Sequence, residues 1–143
     1  DFDDEHKNLI NIEYKGEKIF RTDKTLVQTA LRNILLNSLQ HTDHREEKHE
    51  VKIDINNNGN LNVKISDNGK GIEANYSHKI FNLFYVANDK SIGNGLGLYQ
   101  AKLAANRLKG DIKLISNKKP ITFEITIPKH SKRIIHLTQN VNG

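Results

Sequence analysis

A two-layer α/β sandwich, its mixed or antiparallel sheet packed on one side by helices, is the fold class this sequence predicts. Three observations predict it. Apolar and polar residues alternate through 51–55, 61–65 and 121–127, so each of these segments is a strand with one face to bury. Two segments, 26–39 and 96–108, carry their apolar residues at helical spacing instead. The strands also fall into hairpin-like pairs rather than alternating with helices, which excludes a doubly wound sheet.

The elements follow in order. Leu9-Ile10-Asn11-Ile12 and Lys18-Ile19-Phe20 read as short strands around a turn at Gly16. Thr22-Asp23 is a helix start, after which Val27, Leu31, Ile34, Leu35 and Ser38 fall on one arc. Asn58-Gly59 between two alternating runs is a hairpin signal. From Asp67 to Gly95 the chain is irregular, with an apolar island at 80–84. The second helix ends at Lys109-Gly110, and two strands, 112–115 and 121–127, close the domain.

Composition bounds the rest. The chain has 143 residues, with 22 Lys+Arg against 17 Asp+Glu and a net charge of +5. That length suits one domain with a substantial core. The absence of Cys excludes a disulfide scaffold, a Cys-ligated zinc site and a thiol nucleophile. No apolar run approaches the roughly 18 residues a membrane span needs, and no signal-peptide pattern opens the chain. A start at Asp1 without any Met reads as a piece of a longer protein. Residues 1–7 are then expected to be linker, 8–128 the domain and 129–143 a tail or second linker. The basic residues are scattered and not interleaved with aromatics, so the charge is read as solvated surface, with no nucleic-acid partner.

Four features carry chemistry. Asn33, Asn37, Gln40 and His41 share about a quarter turn of the first helix, at ~100° per residue. Asparagine forms helices poorly, so two of them one turn apart suggest a demand for amide oxygens, hard neutral ligands suited to Mg²⁺ that already carries phosphate; an exposed polar face is the plainer alternative. Asp67-Asn68-Gly69-Lys70-Gly71-Ile72 follows a strand directly. Its glycines allow close approach to a flat ligand and its carboxylate suits an exocyclic amine, although the same residues make an ordinary turn. Gly93-Asn94-Gly95-Leu96-Gly97-Leu98 opens a helix, where backbone N–H groups form a phosphate cradle or simply a hinge. Between these glycine clusters lies a stretch too long for an idle loop, with Phe81 and Phe84 placed to pin it down, on a surface, on a partner or in the core.

Taken together, these segments resemble the ATP-binding catalytic domain of bacterial sensor histidine kinases, within the Bergerat-fold ATPases. Residues 33–42, Asn-Ile-Leu-Leu-Asn-Ser-Leu-Gln-His-Thr, resemble the N box, and 67–72 match the G1 box. Ile80-Phe81-Asn82-Leu83-Phe84 resembles the F box, and 93–98 match the G2 box. Gly110 and the final strand, 123–128, also fit, so the resemblance covers 8–128.

The resemblance implies ATP held between the first helix and a lid running from Glu73 to Ile92. Asn37 would ligate Mg²⁺ bridging the phosphates, with Asn33 beside it, and these two form the implied catalytic pair. Asp67 would bind the adenine amino group, and Gly69 and Gly71 would shape the pocket around the base. Gly93, Gly95 and Gly97 would cradle the phosphates. Gln40, His41, Ile72, Phe84, Leu96, Leu98 and Thr122 complete the implied ATP-binding set. In related topoisomerase and mismatch-repair ATPases an acidic residue one turn before the metal Asn activates water. Asn33 stands there in this chain and cannot act as a base, so transfer rather than hydrolysis is expected.

Gln40 replaces the family's usual Lys or Arg, and His41 its usual aromatic. None of the histidines at 6, 41, 44, 49, 78, 130 and 136 sits in a His-acid-basic-Pro setting. The phosphoacceptor histidine is therefore expected on a dimerisation domain upstream, with a response-regulator receiver domain as the final acceptor. The isolated domain is expected to be monomeric and cytoplasmic, in a parent that is free or membrane-anchored. The alternatives are a pseudokinase-like nucleotide- or partner-binding module and an anti-sigma-type serine kinase.

Overall fold

The computed structural model describes residues 9–43, 45–82 and 96–129. Strand β1 (Ile10–Gly16) leads into helix α1 (Lys24–Gln40), followed by β2 (Val51–Asn57) and β3 (Leu61–Asp67). Helix α2 (Gly97–Arg107), β4 (Asp111–Ser116) and β5 (Ile121–Ile127) complete the order. The strands form one sheet, β1-β2-β3-β5-β4. β1 and β2 are parallel, joined by α1 as the crossover that parallel strands need, and the other pairings are antiparallel. The sheet is thus mixed, and the hairpins β2–β3 and β4–β5 are the two strand pairs the sequence predicts.

The alternation in β3 and β5 decides which face is covered. Val63, Ile65, Phe123 and Ile125 are buried against the helices, whereas Lys64 and Thr126 are exposed on the opposite face. Ala30 and Ile34 of α1 and Ala101, Ala104 and Ala105 of α2 are buried in return. Four of those five are alanines, which lets the two helices pack closely side by side on the sheet.

Local chemistry sets the ends of the elements. Asp23 caps α1, its Oδ1 accepting the Leu26 N–H at 3.2 Å. After α2, Lys109 takes a φ of 62° and Gly110 N donates to the Ala105 carbonyl at 2.9 Å. A Cβ at Gly110 would lie 2.0 Å from the Thr126 carbonyl oxygen, so glycine is required for α2 to turn onto β5.

One expected element is absent. Lys18-Ile19-Phe20 is not a strand, and β1 has no hairpin partner there. The buried Asn57 side chain donates from Nδ2 to the carbonyls of Glu17 at 2.9 Å and Ile19 at 3.0 Å. Two carbonyls that a strand would offer a neighbour are thereby taken, and the chain leaves the sheet toward α1. Gly16, at φ 100°, makes the turn against the Asn57 backbone.

The apolar island is docked in the core. Ile80 is buried, and the Phe81 ring meets Phe123 edge to face at 6.1 Å, with Lys102 Nζ 5.0 Å from its centroid. Successive turns carry 73–82, with Tyr76 N bonded to Glu73 O and Asn82 N to Lys79 O. Phe84, Gly93 and Gly95 lie outside the described residues, as do the expected N-terminal linker and the tail beyond Lys129.

Asp23→Ala removes the α1 cap and is expected to lower stability by about 1 kcal/mol. Urea unfolding should show a lower midpoint with an unchanged slope.

Candidate functional site

β3 delivers Asp67 onto the helix-covered face at the point where the strand stops. Its carboxylate is 4% exposed, and Oδ1 accepts the Gly69 N–H at 2.8 Å. Gly69 cannot be larger: a Cβ there would lie 1.8 Å from the His41 carbonyl oxygen. Lys70 N donates to that same carbonyl at 3.2 Å. Ile72 is held from the other side, its N–H donating to Asn117 O and its carbonyl accepting from Asn117 Nδ2, both at 2.8 Å. Asn68 turns away, accepting from Glu50 N and donating to Lys48 O. The turn after β3 is therefore fixed to the end of α1, to the approach to β2 and to the β4–β5 connection.

Burial pushes the Asp67 carboxyl up to about 6. The Gly69 N–H, the Ser38 hydroxyl dipole and His49 each pull it back. The Ser38 Oγ acts here through proximity, since it makes no hydrogen bond of standard geometry and is itself buried. A carboxylate raised in the folded state binds more protons folded than unfolded between its two pKa values, so it lowers stability as pH rises through that range.

The predicted polar stripe stands on α1 beside this turn. Asn33 Nδ2 donates to Thr29 O at 2.9 Å, and Asn37 Nδ2 meets His41 Nε2 at 3.3 Å. Among the described residues no hydrogen bond engages either side-chain oxygen, so both amides keep the atom a cation or donor would seek. His41 lies just beyond the helix as its C-terminal cap. Its Nε2 accepts from the amide, which makes the imidazole the neutral Nδ1–H tautomer. Burial, then the neighbouring His49 and Lys70, hold it below the usual imidazole range, in agreement with that bond. Gln40 is exposed.

At the other end of the stripe α2 begins. A Cβ at Gly97 would stand 3.4 Å from Asn33 Oδ1, so the G2 segment and the first Asn of the N box are neighbours. Leu98 packs on the core and Leu96 is half-buried. Thus Asn33, Asn37, His41, Asp67, Gly69, Gly71, Ile72 and Gly97 surround one end of the sheet and the α1–α2 side. Thr122 is set apart. It pairs with Ser66 across β3–β5, on the opposite face from Asp67, and its Oγ1 bonds Ser66 Oγ and Pro120 O at 3.0 Å each.

Three residues escape the sequence reading. Ile121 is the register partner of Asp67 on the helix-covered face, a neighbour visible only once β3 and β5 are aligned. His49 reaches back to α1, with Nε2 2.6 Å from the Ser38 carbonyl. Buried Asp43 joins Arg45 Nη2 at 2.9 Å and Lys119 Nζ at 2.8 Å, which ties the loop after α1 to the β4–β5 connection. The Arg45 and Lys119 hydrogen bonds hold its carboxyl well below the usual range.

The donor set fits a nucleotide that brings its own charge. Among the described residues no three acidic or histidine side chains gather to hold a metal, whereas two uncommitted amide oxygens lie along α1 and one buried carboxylate at the turn after β3. Neutral oxygens suit Mg²⁺ only when phosphates supply the remaining ligands and charge.

Comparison with known proteins agrees. Residues 22–131 match the family described as histidine kinase-, DNA gyrase B- and HSP90-like ATPase, and the chain belongs to that family. The sensor protein CiaH of Streptococcus pneumoniae serotype 4 is 31% identical over 129 residues, 86% of this chain and 28% of CiaH. The heme sensor protein HssS of Staphylococcus aureus strain Newman is 30% identical over 131 residues, 89% of this chain and 28% of HssS. The chain thus spans just over a quarter of the length of these relatives. The mycobacterial sensor histidine kinase MprB superposes with a TM-score of 0.69 at 21% identity, covering 87% of each chain. The catalytic domain of histidine kinase ThkA gives 0.71 at 22%, covering 90% of this chain and 84% of its own. The fold is that of histidine kinase ATP-binding domains.

Two outcomes follow. Asp67→Asn is expected to raise the unfolding free energy at pH 8, by up to about 3 kcal/mol, and the gain should shrink as pH falls through 6 and vanish near 4. Gly69→Ala forces the turn off α1 and should cost stability at every pH. Thermal unfolding between pH 4 and 8 reads both.

Proposed function

We propose that this chain binds Mg·ATP along α1 and transfers the γ-phosphoryl group to a histidine on a separate dimerisation domain of its parent protein. A receiver aspartate on a response regulator would take the group next. One observation carries the reading: a single face of α1 runs from Asn33, beside Gly97, to His41, beside the Asp67 turn. A helix N-terminus for phosphate and a buried carboxylate for a base amine lie at opposite ends of one groove.

The residues take roles accordingly. Asp67 accepts the exocyclic amine of adenine, with Gly69, Gly71 and Ile72 forming the wall against the base. Asn37 offers Oδ1 to Mg²⁺, and Asn33 lies beside it at the phosphate end. Gly97, with Gly93 and Gly95, supplies backbone N–H groups to the phosphates. Bound Mg²⁺ would neutralise charge across the phosphates, the largest need of phosphoryl transfer. Asn33 offers no base to activate water, which favours transfer to an incoming imidazole over hydrolysis. The neutral His41 ring suits a place near the base, as a stacking surface without charge. Thr122 is left out of the site because its hydroxyl faces the other side of the sheet. No helix among the described residues is long and apolar enough to cross a membrane, so any anchor of the parent is expected elsewhere in its chain.

Isothermal titration with a non-hydrolysable ATP analogue should show saturable binding that Mg²⁺ strengthens. Asn37→Ala should lose that Mg²⁺-dependent gain, about tenfold or more in Kd. Absence of binding at millimolar nucleotide, with or without Mg²⁺, would contradict the reading. Mixing the chain with labelled ATP and a histidine-bearing dimerisation domain should label that domain in an acid-labile form.

A further inference from the structure

We propose that His49 is a positioning residue for adenine recognition, a role that rests on the ATP site above. His49 belongs to the loop before β2, yet its ring is turned back under the last turn of α1. A carbonyl can only accept, so Nε2 carries the proton and donates to Ser38 O at 2.6 Å. Ser38 is a last-turn residue of α1, whose carbonyls have lost their helical partners. The imidazole therefore replaces a backbone donor and fastens the helix end to the β2 entry. The next element in the same sheet, β3, delivers Asp67 to this spot.

The second nitrogen shows that the ring does more than cap a helix. His49 Nδ1 and Ser38 Oγ are both buried without a hydrogen-bond partner among the described residues, and the residues on either side of His49, Lys48 and Glu50, are hydrogen-bonded to Asn68, the neighbour of Asp67. An unpaired buried acceptor and hydroxyl each cost free energy, and a sequence serving stability alone would place an apolar side chain there. Their place beside the base-reading carboxylate gives them a use. They are polar groups held ready next to the amine acceptor, on the base side of the groove and remote from the Asn33–Gly97 end. His49 is thus expected to set the distance between the Ser38 turn and Asp67, and with it the preference for adenine over guanine, whose carbonyl the carboxylate repels.

The test compares wild type, His49→Phe and His49→Gln by titration with non-hydrolysable ATP and GTP analogues and with tripolyphosphate. Gln keeps a side-chain N–H able to reach Ser38 O, and Phe keeps only the ring. His49→Phe should weaken the ATP analogue about tenfold, while the GTP analogue and tripolyphosphate stay within about twofold. His49→Gln should recover ATP-analogue binding to within about threefold of wild type. Equal loss for all three ligands without recovery by Gln, or no loss at all, would overturn the role. If the Phe variant fails to fold by circular dichroism, nitrogen NMR of the wild-type His49 ring decides. Its Nδ1 resonance should shift on saturation with the ATP analogue and not with tripolyphosphate, and an unmoved resonance overturns the proposal. Failure of wild type to bind any nucleotide would instead remove the ATP-site reading itself.

Discussion

The contact on which the rest of the site depends is backbone against backbone: the turn after β3 resting on the carbonyl of His41. A side chain at Gly69 would occupy the position of that oxygen, and Lys70 N closes the contact with a hydrogen bond. Through it, the end of a sheet strand and the end of the long helix are held at a fixed distance. Asp67 comes from the strand, whereas Asn33, Asn37 and His41 come from the helix. A site assembled from residues of two layers needs such a fastening, because packing of apolar faces alone does not fix their relative position to the precision a site requires. The Asp43–Lys119 pair and the Asn117–Ile72 bonds fasten the outer margin of the same turn.

The arrangement carries an electrostatic cost that the core does not share. Burial opposes ionisation of Asp67, and among the described residues one backbone N–H is bonded to it. Ser38 and His49 add unpaired polar atoms beside it. Other buried polar groups are matched, Asn57 by two carbonyls and a backbone N–H and Asp43 by two cations, while Thr22 Oγ1 near the start of α1 is a third buried atom without a partner among the described residues. Two of the three unmatched atoms flank the turn after β3, and such clustering is a recurrent sign of a surface completed by a ligand.

Much of this was legible in the sequence, for identifiable reasons. Alternation in β2, β3 and β5 is a local signal, as are Asn58-Gly59 and the Asp23 cap, and each matches the structure. The strand at Lys18-Ile19-Phe20 failed because the Ile19 carbonyl, with that of Glu17 before it, is claimed by Asn57, some forty residues along the chain. The face Thr122 occupies was not legible for a related reason: it depends on register with β3, and one residue's offset decides it. Asn33 and Asn37 stand out in the sequence because asparagine forms helices poorly, and Asp67 and Gly69 only through their place directly after a strand, since the same residues make an ordinary turn. His49 was not, since a lone histidine in a charged loop carries no pattern until the fold returns it to α1.

A single nucleotide site along α1, from Gly97 to the Asp67 turn, would place ligand contacts on one layer of the molecule and leave the open face of the sheet untouched. Amide chemical-shift mapping during titration with a Mg²⁺-bound non-hydrolysable ATP analogue tests it most directly. The largest shifts are expected at Asn33, Asn37, His41, Gly69, Gly71 and Gly97, with Lys64, Thr122 and Thr126 on the open face unmoved. Shifts centred on that open face, with the α1 residues unmoved, would contradict it.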